Sequence, residues 1–182
     1  MKHRWLYTVG MLLGMVAFST AEAATSSGPD YTPPSWDQQL KCPTKANCPR
    51  FIVLSNWNKA AVLDKETGLV WEQSPSTDTV TWEDAQTYCN GLTTGNRLGW
   101  RLPTLQELAS LVDPTVPSPG PTLPAGHPFS NVQSDVYWSA TTYASGTVSA
   151  WAVSFLGGVI SFGKTSTFYV WCVRGGQGVD PQ

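Results

Sequence analysis

His127 is the only histidine downstream of the first few residues, so any Ser-His-Asp or Cys-His nucleophilic site would have to use it. It stands in the stretch GHPF, and neither Ser139 nor Ser154 carries the flanking motif of an activated nucleophile. A loop-packing histidine is the expected role. Glu83, Asp84, Glu107 and Asp113 could supply the carboxylate pair that a glycosidase needs. Each already has a structural use. Glu83 and Asp84 fall in the first turn of a helix, Glu107 completes a capping box, and Asp113 precedes a proline. Arg101 and Arg174 sit in core-like surroundings, WRLP and CVRGG. A buried guanidinium needs a partner, and Asp64, Glu72 or Glu107 could serve. Both arginines are read as structural first. With one histidine beyond the first few residues and no C-x-x-C pair, neither a metal nor a cofactor is expected.

Aromatic and hydroxyl residues give a different signal. Trp138, Tyr143, Trp151, Phe162, Tyr169 and Trp171 are too many to bury in so small a domain. TTYASGTVSAW (141–151) has the Tyr/Ser/Gly/Thr chemistry of recognition loops. A ligand-binding face is therefore expected from Trp138, Ser139, Thr141, Tyr143, Trp151, Ser154, Phe162 and Trp171. Its ligand would be a glycan or a protein.

The bulk properties agree. Lys2, His3 and Arg4, then the apolar run Trp5 to Phe18, then Ala21-Glu22-Ala23, spell a secretory signal peptide over residues 1–23. The run is too short to span a bilayer with ease. The expected location is the periplasm, the cell surface or the medium, with no membrane span after cleavage. Losing Lys2, Arg4 and Glu22 moves the formal charge from −2 to −3. That argues against a nucleic-acid partner. Charged residues are 13% of the chain and aromatics 12%, with nine tryptophans. Such a surface suits contacts that are not driven by charge.

The elements that must position these residues follow from local pattern. Residues 24–50 form a Pro/Ser-rich linker, 51–175 the folded domain, and 176–182 a Gly-rich tail. FIVLS is a strand, and AAVLD and LVWEQ form a hairpin around Lys65-Glu66-Thr67-Gly68. A helix is expected over 79–92, capped by Thr81, with Trp82, Ala85, Tyr88, Cys89 and Leu92 on one face. A second starts at Thr104, with Glu107 three residues on, and runs towards Asp113. Its apolar face is Leu105, Leu108, Ala109 and Val112. A long Pro/Gly loop (113–130) follows, of a length that is often functional. The remainder is strands: VYWSA, then VSAWAVSFL turning through Gly157-Gly158 into VISFG, then TFYVWCVR. In the last, Phe168, Val170 and Cys172 should face one way and Tyr169, Trp171 and Val173 the other.

Cys42, Cys48, Cys89 and Cys172 form an even set in an exported chain and read as disulfides. Three pairings are possible. Cys42–Cys48 within one loop, with Cys89–Cys172 tying the first helix to the last strand, is the preferred arrangement.

In order, VLDKETGLVWEQ, TWEDAQTYCNGL, GWRLPTLQELASLVD, VYWSATTY, AWAVSFLGG and YVWCVRGG resemble the Lcl C-terminal domain family of exported bacterial domains. The resemblance spans about residues 51–175. It implies an α+β, C-type lectin-like fold with two helices and a twisted antiparallel sheet. Through WRLPT and the following glutamate-bearing helix it is also similar to the formylglycine-generating-enzyme branch of that fold. Relatives serve as adhesin tips that bind glycosaminoglycans, and lectin-like domains carry variable receptor surfaces. The chain departs from that pattern. It has no Gly-x-y stalk, it has Trp171 where the family commonly has arginine, and it lacks the EPN and WND calcium signatures and the redox-active cysteine pair. Cys89 and Cys172 match the disulfide of the lectin-like fold. Taken with the residues, the expected role is an exported, non-enzymatic recognition or adhesion domain, the alternatives being a structural periplasmic interaction module and an enzyme related to the formylglycine-generating fold; Arg101, Thr104, Glu107 and Arg174 are expected to be scaffold.

Overall fold

The computed structural model describes residues 50–175. The expected leader, linker, tail and Cys42–Cys48 bridge lie outside the described residues. Among these residues no helix is long and apolar enough to cross a membrane.

The described chain is α+β, with two antiparallel sheets and two helices. β1 (Phe51–Val53), β2 (Ala61–Asp64) and β3 (Val70–Glu72) form the start of one sheet. Its order continues through β8 (Val173–Arg174) to β4 (Trp100–Arg101), so the end of the domain is inserted between early strands. The second sheet is β5 (Val136–Thr142), β6 (Ser149–Ser154) and β7 (Val159–Gly163) in sequence order. The β2–β3 hairpin forms where the turn residues predict it. The Asp64 carbonyl accepts from Gly68 N–H at 2.8 Å, and the Asp64 carboxylate accepts from Glu66 N–H at 3.0 Å.

α1 (Trp82–Gly91) is capped by Thr81, whose hydroxyl accepts from Asp84 N–H. Ala85 and Cys89 are fully buried, while Tyr88, expected on the same face, is exposed at the helix edge. α2 (Leu105–Ala109) has the full capping box: Thr104 accepts from Glu107 N–H and Glu107 accepts from Thr104 N–H. It stops earlier than the sequence suggests, because the Ser110 hydroxyl donates to the Glu107 carbonyl at 2.7 Å and competes for the helical acceptor. The expected face still holds, since Leu108 is buried and Leu105, Ala109 and Val112 pack on the same core. Thr104→Ala should cost about 1 kcal/mol of stability, the usual worth of an N-cap, read from urea unfolding. A loss below a few tenths would show that the cap is idle.

Two expectations about the strands need correction. TFYVWCVR is extended, but only Val173–Arg174 belong to a strand. Phe168 pairs with Val80 and Tyr169 with Tyr137, before Cys172 and Val173 reach β3. The segment passes from one sheet to the other, so no single neighbour can pair with all of it. Its alternation survives intact. Phe168, Val170 and Cys172 lie in a cluster with Trp100 and Trp138, while Tyr169, Trp171 and Val173 lie in one with Trp71 and Phe155. This segment therefore nails two cores together. The second correction concerns Gly157-Gly158, which is not a two-residue turn. Ser154 N–H donates to the Gly158 carbonyl across a longer loop, and Phe155 leaves the ladder to bury its ring against Tyr137 and Trp171. Both glycines have φ near 117°, which a side chain rarely tolerates.

The 113–130 loop is part of the packing. Asp113 N–H donates to Thr122, and Thr122 N–H and hydroxyl both donate to Phe155. Phe129 fits between Phe51 and Trp171 at ring distances of 5.0 and 4.8 Å.

Candidate functional site

The structure divides the expected ligand face into core and surface. Trp138, Ser139 and Trp171 are fully buried. Trp138 Nε1 donates to the Val80 carbonyl and Trp171 Nε1 to the Glu72 carbonyl. The Ser139 hydroxyl donates to the Trp151 carbonyl at 2.7 Å, inside an irregular stretch of the β5–β6 pairing. None of the three presents atoms to a ligand, which corrects the expectation for them. The reason is that indole N–H groups found backbone acceptors in the interior, so these rings could be buried at little polar cost. Phe162 is half-buried against Phe168 at 4.5 Å and packs on the core. Thr141 accepts from Leu105 N–H at 3.0 Å, satisfying a free donor in the first turn of α2. Ser154 accepts from Leu156 N–H at the β6–β7 turn.

Tyr143 and Trp151 remain. Their rings meet edge to face at 5.3 Å and 78°, and both are partly exposed. Trp151 points out of β6 because its neighbours Ala150 and Ala152 point in. Ser161 on β7 stands directly opposite it. Tyr143 is held by the β5–β6 connection, where its N–H donates to Ser149 and its carbonyl accepts from Gly146. The result is a rigid aromatic corner beside hydroxyls, which can stack on a flat apolar face and hydrogen-bond its rim.

Of the two arginines expected to need a carboxylate, Arg101 finds one and Arg174, among the described residues, does not. Arg101 makes a forked pair with Glu107, at 2.6 and 2.8 Å. Burial pushes the Glu107 carboxyl up, but the hydrogen bonds from Arg101 and Thr104 outweigh it and hold it below its ordinary range. Arg174 Nε donates to the Leu98 carbonyl rather than to a carboxylate. Asp64 serves Arg50, at 2.7 Å. His127 stacks on Phe129, and burial lowers its pKa.

Glu72 is the surprise. It is 5% exposed, and among the described residues no cation pairs with it. One oxygen accepts from Cys172 N–H at 3.1 Å and the other faces the Thr94 hydroxyl at 3.5 Å. Burial raises its pKa to about 7, against the opposing pull of those two donors. Sequence reasoning placed Glu72 among possible arginine partners. Nothing in a local pattern shows which carboxylate a distant strand will cover. Cys89 and Cys172, both fully buried, are joined as a disulfide beside it.

No curated protein matches the chain. The family model of the Lcl C-terminal domain matches residues 60–174, and the chain, whose disulfide, two capped helices and every strand but β1 fall within that span, belongs to this family.

Proposed function

We propose that the chain is an exported, non-enzymatic recognition or adhesion domain of C-type lectin-like architecture. It binds a glycan, or a protein surface of similar polarity, through Tyr143 and Trp151. The observation that carries this reading is the partly exposed edge-to-face pair on the β5–β6–β7 sheet of a disulfide-braced domain, with Ser161 alongside. Rigid aromatic anchors cost little entropy to immobilise and dominate contact energies at such surfaces. The engagement of Glu107, Asp84, Asp113 and Glu72 supports a role without catalysis. Glu107 is tied to Arg101, Asp84 accepts from the Thr81 hydroxyl, Asp113 accepts from Thr115, and Glu72 is enclosed.

Trp151→Ala should weaken binding at least about tenfold, with Tyr143→Ala somewhat less. A glycan array and pull-downs from envelope extracts provide ligands for the comparison. Thermal midpoints should stay near wild type, because neither ring belongs to the buried core. Full binding by the Tyr143→Ala, Trp151→Ala double variant would sink the proposal. Trp171→Ala is no test of it, since that ring holds the core together.

A further inference from the structure

A second surface, on the other sheet, gathers positive charge around one indole. Trp57 lies at the end of a 3₁₀ turn (Ser55–Trp57) and packs edge to face on Trp100. The Thr94–Asn96 turn closes against it through Gly95. A Cβ there would come within 2.7 Å of the Trp57 ring, and φ is +67°, so only glycine fits. This close approach delivers Arg97, whose guanidinium carbon lies 5.3 Å from the Trp57 ring centre. β8 delivers Arg174, at 5.6 Å from the same centre. Lys59 adds a third positive charge to the turn that follows Trp57.

Among the described residues, none of these cations is in an ion pair. Among the described residues, the carboxylates in ion pairs are Asp64 and Glu66 with Arg50, and Glu107 with Arg101. Arg174 uses Nε on the Leu98 carbonyl at 2.7 Å, and Arg97 uses one nitrogen on the Asn96 carbonyl at 3.3 Å. Their remaining N–H groups have no protein acceptor among the described residues. Arg97 is exposed and Arg174 half-buried, so those donors are within reach of solvent. Glu72 is on the inner side of Thr94 and buried, so it does not neutralise the outer surface.

We propose that Arg97, Arg174 and Trp57 form an anion site that takes the oxyanion group of a ligand. Two planar guanidiniums that both contact one ring, each with N–H groups left unused, carry the forked donors that suit a carboxylate, sulfate or phosphate. The indole fixes them by cation–π contact while leaving their outer edges free. The like charges repel one another, and a bound anion relieves that repulsion. The net negative charge of the chain does not oppose this, because exposed charges beyond about 8–10 Å are screened at physiological salt.

The test is an NMR titration of arginine Nε–H and tryptophan indole signals with sodium sulfate, phosphate and acetate, at constant ionic strength set by chloride. Saturable shifts are expected at Arg97, Arg174 and Trp57 at millimolar anion, with the signals of Trp151 unmoved. Arg97→Gln should weaken that binding about tenfold, the worth of one charge-assisted contact, and Arg97→Lys less, since it keeps the charge but loses the fork. A response to sulfate and phosphate alone would assign a tetrahedral oxyanion, and a response to acetate as well would extend the site to carboxylates. Shifts that rise linearly and equally with chloride, or that persist in Arg97→Gln, would overturn the proposal. Arg97 is exposed, so its variants should fold, and their thermal midpoints verify that. The site shares no residue with the Tyr143–Trp151 pair, and its Arg174 lies on the other sheet, so loss of one binding activity leaves the other measurable.

Discussion

Removing the Cys89–Cys172 bridge should lower the free energy of unfolding by about 4.5 kcal/mol. The bridge closes a sequence separation of 83 residues, and loop-closure entropy sets that magnitude. Domains of this size are stable by only about 5–15 kcal/mol, so the loss takes much of the margin. The bridge joins α1 to the segment that connects the two cores, so its loss should loosen both sheets together. Both sulfurs are fully buried, and reductant alone must wait for the domain to open. The Cys89→Ala, Cys172→Ala double variant avoids that delay. Urea unfolding of the double variant beside the wild type gives the number. A difference under about 1 kcal/mol would mean the bridge constrains little that packing does not already hold.

Glu72→Gln should flatten a pH dependence that the wild type shows between about pH 4.5 and 7. The folded carboxyl titrates near 7 and the unfolded one near its ordinary 4.5, so the folded state holds the proton more tightly. Stability from Glu72 is therefore complete below about pH 4.5 and falls as pH rises through 7. A shift of that size corresponds to about 3 kcal/mol. At pH 8 the glutamine variant should be more stable than wild type by up to that amount, and near pH 4 the two should agree. Glutamine keeps an oxygen for Cys172 N–H and offers an amide to the Thr94 hydroxyl, so packing is preserved. Partial burial, then the charges of Glu72 and Asp78, raise the pKa of Tyr88, whose ordinary value of 10.0 already lies above this window. Glu107 titrates with the opposite sign in both proteins and cancels in the comparison. A variant less stable at pH 8 than wild type would show that the carboxylate is needed charged.

Local signals carried most of the scaffold. Thr81 and Thr104 reveal helix starts because a cap acts within three residues. Lys65-Glu66-Thr67-Gly68 reveals a hairpin because its turn is closed by neighbours. The alternation of Phe168 to Val173 survives although the expected long strand does not, since side-chain direction depends on extended backbone and not on a partner. α2 ended early through one serine hydroxyl, a competition that periodicity does not register.

The candidate sites were less legible, for a physical reason. Composition shows that some of nine tryptophans must be exposed, but not which. Trp138 and Trp171 were buried by backbone acceptors on Val80 and Glu72, 58 and 99 residues away in sequence. Trp151 was left outside, against Tyr143. The sequence by itself determined the family, the helix caps and the two-faced final segment, because each rests on local chemistry or on a motif, and it favoured Cys89–Cys172 among three possible pairings. Only the tertiary structure decided that Glu72 is enclosed without a cation and that Arg97 and Arg174 meet on Trp57. Burial and charge pairing depend on residues brought together by the insertion of β8 between β3 and β4, and that neighbourhood exists only in the folded chain.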